Sequence, residues 1–303
     1  MIHRRFSETK SNQSNSLLSL WKIEAFCMSK TLITLVFAAI ITRRARGFLL
    51  PKGTSFSLFG QRGKQPKTAV FMSSSTPSLS NPMDQFGLPT PLLLGSASFT
   101  RKLILKEMGV KYKIVVRPID EKGIGDREKD EPSDLVLRLG TAKMNHLVNE
   151  IKAGRCDDDL PDASHKNYIV LTGDQVVTCN GKILEKPESV DEARSFVSAY
   201  GTHPPSTVGS CILTHLETGI QVSGVDTATI HFQSDIGAAA SLIDDLLADD
   251  APVLSCAGGL MVEHPLVKKY IVRIDGTEDS VMGLSKDLVL RLMEELAKKI
   301  AHR

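Results

Sequence analysis

Between residues 92 and 300, the spacing of apolar residues alternates between the period of a strand and the period of a helix. A short apolar strand, Leu92–Leu94, runs into Gly95-Ser-Ala-Ser98 and then into a helix that Gly109 ends. Further strands are predicted over residues 111–117, 168–171, 176–179, 182–184, 207–216, 220–232 and 270–274. Further helices are predicted over residues 132–147, 190–200, 238–247 and 286–300. This alternation predicts an α/β domain with a mixed β-sheet flanked by helices.

Local signals support several of these boundaries. Ser98 is a predicted N-cap, Pro132 suits the first turn of a helix, and Ser189-Val-Asp-Glu192 has the spacing of a capping box. Asn180-Gly181 lies between two apolar runs and predicts a two-residue hairpin.

In the first 90 residues, apolar positions do not recur with the period of a helix or a strand, apart from one apolar run at residues 31–42. They carry 12 Lys and Arg against three Asp and Glu, a net charge of +9, whereas the rest of the chain has a net charge of −7. A basic, hydroxyl-rich and acid-poor segment is typical of an organelle-targeting peptide. We predict an N-terminal targeting or disordered extension over residues 1–90, with linker character at residues 77–91, and a folded domain over residues 91–303.

The apolar run is too short for a transmembrane helix, which needs roughly twenty residues. It fits a signal-peptide core before a basic transit stretch, as in a bipartite plastid address, or part of a single mitochondrial or chloroplast transit peptide. We expect an organelle, with a plastid favoured over a mitochondrion. The alternatives are a cytoplasmic protein with a disordered tail, or a true start at Met28 or Met72.

Charge and motif content exclude several classes of protein. A domain of net charge −7 lacks the positive surface that general nucleic-acid binding requires. The five cysteines are widely spaced, which argues against a zinc site or a disulfide framework. No Gly-x-Gly-x-x-Gly follows the first strand and no Gly-x-x-x-x-Gly-Lys-Ser/Thr occurs, so a dehydrogenase and a GTPase are excluded.

Candidate chemistry lies at the predicted ends of elements. Small residues between a strand and a helix present backbone N–H groups, so Gly95-Ser-Ala-Ser98 is a candidate phosphate site. Asp120-Glu121, Lys143, Asp174 and Lys186-Pro187 add carboxylates that suit a divalent metal and lysines that suit a triphosphate. Each of these charges alone is more often a solvated surface group, so spacing alone indicates metal-assisted phosphate chemistry only as one option.

Six motifs in order resemble the Maf-like nucleotide pyrophosphatase family over nearly all of residues 92–300. They are Leu94-Gly-Ser-Ala-Ser-x-x-Arg101, Ile119-Asp-Glu121, Leu139-x-x-Ala-Lys143, Gly173-Asp-Gln-Val-Val177, Glu185-Lys-Pro187 and Val281-x-Gly-Leu284. The resemblance implies an elongated fold with two lobes around a cleft, a divalent cation such as Mg²⁺ or Mn²⁺, and a homodimer. It implies a nucleoside-triphosphate diphosphatase that converts a standard or modified triphosphate to the monophosphate and pyrophosphate.

The resemblance also implies roles for individual residues. They are Ser96 and Arg101 at the phosphate turn, Lys143 and Lys186 on the triphosphate, and Glu121 and Asp174 on the metal. Asp174 is the predicted central acid, either as the general base or as a ligand of the metal that activates water.

One departure from the family pattern keeps a second function open. The family's phosphate turn ends in Pro-Arg-Arg, whereas this chain has Phe99-Thr-Arg101, so the first arginine is missing. The alternative function is therefore a catalytically weak nucleotide-binding or regulatory protein linked to cell division. The chain retains the residues expected to bind the metal and the triphosphate, Glu121, Lys143, Asp174 and Lys186, which argues for an active enzyme.

Two further departures from the family pattern concern which nucleobase the enzyme selects. Gln175 and Glu263 lie in segments that resemble the 7-methyl-GTP pyrophosphatase branch, and a carboxylate accepts hydrogen bonds from guanine N–H groups. We therefore predict that 7-methyl-GTP is hydrolysed faster than UTP, dTTP or CTP when pyrophosphate release is measured side by side. A clear preference for the pyrimidines would contradict this assignment.

Overall fold

A computed structural model of the chain describes residues 80–162, 167–238 and 241–303. The strands are β1 (Leu92–Leu94), β2 (Tyr112–Ile114), β3 (Ile169–Thr172), β4 (Gln175–Cys179), β5 (Lys182–Leu184), β6 (Ser206–His215), β7 (Gln221–Phe232) and β8 (Ile271–Asp275). The α-helices are α1 (Pro82–Gln85), α2 (Phe99–Glu107), α3 (Pro132–Lys152), α4 (Val190–Tyr200), α5 (Leu242–Ala248), α6 (Pro265–Lys268), α7 (Glu278–Val281) and α8 (Lys286–Ala301). Short 3₁₀ turns lie at Asp157–Asp159, Ser234–Ala238, Val253–Ser255 and Ala257–Gly259.

The strands form one mixed sheet, as predicted. Its order is β2-β1-β3-β6-β4-β5, with β7 paired to β6 and β8 paired to β7. β1 runs parallel to β2 and β3, and the other pairs are antiparallel. The α/β class is therefore confirmed, while two lobes around a cleft stay a prediction.

An interruption between β3 and β4 determines where the sheet opens. Both strands pair with β6 in one register, with Thr172 opposite Ile212 and Gln175 opposite Gly209. On the other side, β1 pairs with β3 and β5 pairs with β4. The sheet therefore opens between β1 and β5, beside the two residues that separate β3 from β4.

Alternation along β1 distributes apolar side chains to both faces of the sheet. Leu92 and Leu94 join the core that α2 and α8 cover, whereas Leu93 joins the core that α3 covers. A further core forms where α4 and α5 pack near β7 and β8, with Val197 and Ile230 among its members. Helices thus cover both faces around the opening.

Local sequence signals explain the ends of several elements. Ser98 and Ser189 cap their helices through their side chains, and Pro132 occupies the first turn of α3, as predicted. Asn180 and Gly181 form the β4–β5 turn with φ values of 49° and 73°, which this turn requires.

Some elements differ from the sequence prediction. The strand predicted over residues 111–117 is only Tyr112–Ile114, an edge strand with an exposed end. The helix predicted over residues 238–247 is wrong at its start, because Ser234–Ala238 is a 3₁₀ turn and α5 begins at Leu242. Helices of four residues, such as α6 and α7, are too short to show a helical period.

Residues before β1 also pack on the domain. Asn81 caps α1, and Met83 and Leu88 are buried in the core that α2 and α8 cover. The segment predicted to have linker character therefore contributes core side chains from Met83 onward. The targeting function predicted for the preceding segment falls on residues outside the described part of the chain. Among the described helices, none combines the length and the apolar character needed to traverse a bilayer.

The interruption between β3 and β4 depends on Gly173. A Cβ atom at this position would lie 2.2 Å from the backbone oxygen of Ser210, and no side-chain rotation relieves that contact. We expect Gly173→Ala to lower the free energy of unfolding by about 1–3 kcal/mol.

Gly209→Ala is the matched control, because its nearest heavy atom, the Asp174 backbone oxygen, is 3.9 Å away. Urea unfolding measures both variants. Equal losses in the two variants would contradict the role assigned to Gly173.

Candidate active site

The turn after β1 lies tightly against β3. The Gly95 N–H donates to the Leu171 carbonyl at 2.8 Å. A Cβ atom on Gly95 would lie 2.7 Å from the side chains of Leu147 and Thr172. Glycine therefore allows the turn to begin directly at the sheet opening.

The start of α2 presents unpaired donors. The Ser98 hydroxyl accepts the Arg101 N–H at 3.3 Å and caps the helix. In the described structure, the backbone N–H groups of Ala97, Phe99 and Thr100 have no protein acceptor, because the first turn of a helix lacks intrahelical partners. Such donors at the positive end of a helix suit an anionic ligand.

Arg101 is buried beside this turn and has only neutral hydrogen-bond acceptors. Its Nη1 donates to the Ser96 hydroxyl at 3.2 Å and to the Gly173 carbonyl at 3.0 Å. Its Nε donates to the Gly283 carbonyl at 3.0 Å. Burial lowers the pKa of Arg101 from its ordinary value, and the nearby Asp174 carboxylate opposes that shift. The guanidinium therefore adds positive charge at the opening and links the turn to the β3–β4 interruption.

Lys143, on α3, lies between two carboxylates. Its Nζ is 2.7 Å from Asp174 Oδ1 and 3.1 Å from Glu121 Oε1. The side chains of Lys143 and Asp174 are 18% and 14% exposed, whereas that of Glu121 is 49% exposed. The Asp174 contact is thus the more shielded of the two, and ion pairs with less solvent around them interact more strongly.

The backbone of Asp174 is fixed by Ser210 of β6. The Asp174 N–H donates to the Ser210 hydroxyl at 3.0 Å, and the Ser210 N–H donates to the Asp174 carbonyl at 2.9 Å. The Ser210 hydroxyl in turn donates to the Val136 carbonyl of α3 at 2.7 Å. Strand β6 therefore fixes Asp174 relative to the helix that carries Lys143.

Arg127 is a residue that the sequence did not single out and that contacts the backbone of Glu121. Its Nη2 donates to the Glu121 carbonyl at 3.1 Å and to Glu185 Oε1 at 3.1 Å. Its Nη1 also donates to the Ile124 carbonyl. The arginine joins the loop between β2 and α3, which carries Glu121, to the segment after β5. No local signal reveals this role, because its partner Glu185 is 58 positions away.

The remaining predicted residues, Gln175, Lys186 and Glu263, form no ion pair with Asp174 in the described structure. Gln175 Nε2 donates to the Val281 carbonyl at 3.2 Å. Lys186 is exposed after β5, and Glu263 is half-buried. Burial and Glu263 raise the pKa of the Cys256 thiol to about 11, whereas Lys186 opposes this shift, so both charges lie near the same thiol.

The structure divides the predicted residues other than Gln175 into three groups. Ser96 and Arg101 are hydrogen-bonded to each other. Glu121, Lys143 and Asp174 form a second group of direct contacts, which the Gly173 carbonyl connects to the first. Lys186 and Glu263 form the third group, since their charges act in opposite directions on the pKa of the Cys256 thiol. The first two groups combine an anion-binding turn with cations and carboxylates, which is a composition suited to phosphate chemistry.

Comparison with known proteins agrees with this chemistry. The sequence profile of the family described as Maf-like protein matches residues 91–296. A 7-methyl-GTP pyrophosphatase of Dictyostelium discoideum is 36% identical over 210 residues, covering 69% of this chain and 98% of the relative. A nucleoside triphosphate pyrophosphatase of Salinispora tropica is 27% identical, covering 69% of this chain and 85% of the relative. One of Mycobacterium ulcerans is 29% identical, covering 67% and 93%.

Lys143 contacts one shielded carboxylate and one half-exposed carboxylate. Double-mutant cycles measure the coupling energy of each pair. We expect Lys143→Met and Asp174→Asn to show a coupling of about 1–2 kcal/mol in urea unfolding, between the values of exposed and buried pairs. The same lysine variant combined with Glu121→Gln should show a coupling below about 1 kcal/mol, because that carboxylate is half-exposed. A larger coupling to Glu121 than to Asp174 would contradict the geometry.

Proposed function

The chain belongs to the Maf-like protein family, and we propose that it hydrolyses a nucleoside triphosphate to the monophosphate and pyrophosphate. The names of its relatives, 7-methyl-GTP pyrophosphatase and nucleoside triphosphate pyrophosphatase, support this activity. The observation that carries the proposal is the contact of Lys143 with Asp174 and Glu121 at the sheet opening. A helix N-terminus with unpaired N–H donors lies beside it.

The reaction depends on charge neutralisation more than on covalent catalysis. Water attacks the α-phosphorus, the bond from that phosphorus to the bridging oxygen breaks, and pyrophosphate leaves with the bond's electron pair. Catalysis of such a step depends on positioning and on stabilising negative charge. Lys143, Lys186 and the N–H groups at the start of α2 supply the positive groups in our assignment. Arg101 contributes its buried charge while fixing Ser96.

Asp174 is the central acid in this assignment. Its carboxylate is mostly buried, and its backbone is fixed by Ser210. A carboxylate held in this way can orient the attacking water and accept its proton. Lys143 contacts this carboxylate at 2.7 Å, and in our assignment its ammonium also neutralises charge on the phosphates.

The donor set also fits a divalent cation such as Mg²⁺ or Mn²⁺. Glu121 and Asp174 direct carboxylate oxygens to one ammonium group, and Mg²⁺ is commonly held by one or two carboxylates together with substrate phosphates. When bound, the cation supplies neutralisation of the triphosphate charge. Within the described residues, no three His, Cys, Asp or Glu side chains form a metal-binding group, so phosphate and water oxygens would complete the coordination.

The nucleobase is assigned from the relatives and from two side chains. One relative is named a 7-methyl-GTP pyrophosphatase, and Glu263 offers a half-buried carboxylate that can accept hydrogen bonds from guanine. Gln175 lies next to Asp174 in β4, with its amide turned to the Val281 carbonyl. We assign both residues to the base end of the substrate.

Replacing Asp174 tests the proposed activity. We expect Asp174→Asn in the full chain to reduce pyrophosphate release by about 100-fold or more, because the amide cannot accept the proton of the attacking water. The assay uses normal and modified nucleoside triphosphates with Mg²⁺ or Mn²⁺.

Asp244→Asn is the matched control, since Asp244 is half-exposed and pairs with Arg194 on the surface. This control should retain wild-type activity. A folded wild-type protein that binds nucleotides without releasing pyrophosphate would contradict the enzyme and favour the nucleotide-binding alternative. Activity that survives in Asp174→Asn would contradict only the role of Asp174.

A further inference from the structure

Arg127 holds two chain segments that carry separate parts of the site. Its guanidinium donates to the Glu121 carbonyl at 3.1 Å, to the Ile124 carbonyl, and to Glu185 Oε1 at 3.1 Å and 3.3 Å. Glu121 and Ile124 belong to the loop between β2 and α3, and Glu185 directly precedes Lys186. One side chain therefore links the backbone of Glu121 to the segment that carries Lys186.

The guanidinium is partly shielded from water. The Arg127 side chain is 22% exposed and that of Glu185 is 49% exposed. Charge-assisted hydrogen bonds of this kind are stronger than neutral ones, and the planar guanidinium directs several donors at once, which a lysine cannot reproduce. The geometry thus fixes the relative position of two segments that have no strand pairing to each other.

Other contacts fix the loop but do not replace this link. Ile124 packs against the core under α3, and Arg138 pairs with Asp130 near the end of the loop. A second tie between the two segments joins Lys122 to Glu188 at 3.3 Å, but these side chains are 88% and 80% exposed. Exposed pairs of this kind contribute little, so Arg127 forms the stronger of the two ion-pair ties, beside the apolar cluster against which Ile124 and Ile183 both pack.

We propose that Arg127 is a positioning residue, which sets the distance between the Glu121 carboxylate and the Lys186 ammonium across the triphosphate. The inference rests on the proposed function, because both groups act on the phosphates. It assigns Arg127 no contact with substrate. Its effect passes through the Glu121 backbone and through Glu185.

Steady-state hydrolysis by Arg127→Ala tests the proposal in the full chain. We expect kcat to fall by about 10–100-fold with a smaller change in KM, because small misplacements of catalytic groups reduce the rate of the chemical step. Added guanidinium ion should restore part of the loss. Arg127→Lys should retain intermediate activity, since one ammonium can still reach Glu185.

Arg138→Ala is the matched control, because Arg138 of α3 pairs with Asp130 of the same loop, and its removal breaks an arginine ion pair without touching Glu121 or Glu185. It should stay within about twofold of wild-type activity, as expected for a half-exposed ion pair. Equal effects of the two alanine variants would overturn the proposal, because they would indicate general loosening of the loop. A rise in KM with unchanged kcat would also overturn it, since that pattern indicates direct substrate binding by Arg127.

Hydrogen exchange separates this inference from the proposed function. In Arg127→Ala, residues 119–127 and 184–188 should both exchange faster, while Arg138→Ala leaves residues 184–188 unchanged. Faster exchange confined to the loop would overturn the coupling of the two segments. If the wild-type protein released no pyrophosphate, the proposed function would fail, and this exchange measurement would still decide the coupling.

Discussion

Gly173 approaches the backbone of Ser210 so closely that a methyl group there would lie 2.2 Å from a carbonyl oxygen. This contact keeps β3 and β4 in one register along β6 while β1 and β5 diverge on the other side. Two consequences follow at the opening. The Gly173 carbonyl accepts a hydrogen bond from Arg101, and Asp174 contacts Lys143 of α3. The chemistry of the site therefore depends on a sheet interruption that only glycine accommodates.

The charge distribution of the domain explains how it can select an anionic ligand. Residues 91–303 have a net charge of −7, which repels a triphosphate at long range. The opening offsets that charge locally, because a buried guanidinium, a shielded ammonium and the positive end of α2 accompany the Asp174 and Glu121 carboxylates. Since surface charges are screened beyond roughly 10 Å at 0.1 M ionic strength, the local groups dominate once a ligand reaches the turn.

Much of the fold was predictable because its signals are local. Ser98, Pro132 and Asn180-Gly181 mark element boundaries through hydrogen bonds or φ angles that need only a few neighbouring residues. The four-residue helices show no period, and Ser234–Ala238 is a 3₁₀ turn although Ala238 favours an α-helix. Such elements are fixed by packing, which the sequence pattern does not display.

Ordered motifs predicted more of the candidate site than the spacing of its residues did. Ordered motifs indicated Glu121, Lys143 and Asp174, which the structure brings into contact. Spacing alone favoured solvated charges at the same positions, because contacts across 31 residues leave no periodic trace. Arg127 was missed for the same reason, since its charged acceptor Glu185 lies 58 positions away.

The hydrogen bonds of Arg101 also have a consequence for synthesis on the ribosome. Its acceptor Gly283 is 182 positions later in the chain, and Ser210 follows Asp174 by 36 positions. A chain grows from its N-terminus and cannot form contacts with residues not yet translated. The turn before α2 therefore emerges with an arginine that lacks one of its three acceptors until nearly the whole protein has been made. A nascent chain stalled before α7 would contain the β6–β7 hairpin but could not yet form the Arg101–Gly283 hydrogen bond, so this contact is completed only late in synthesis.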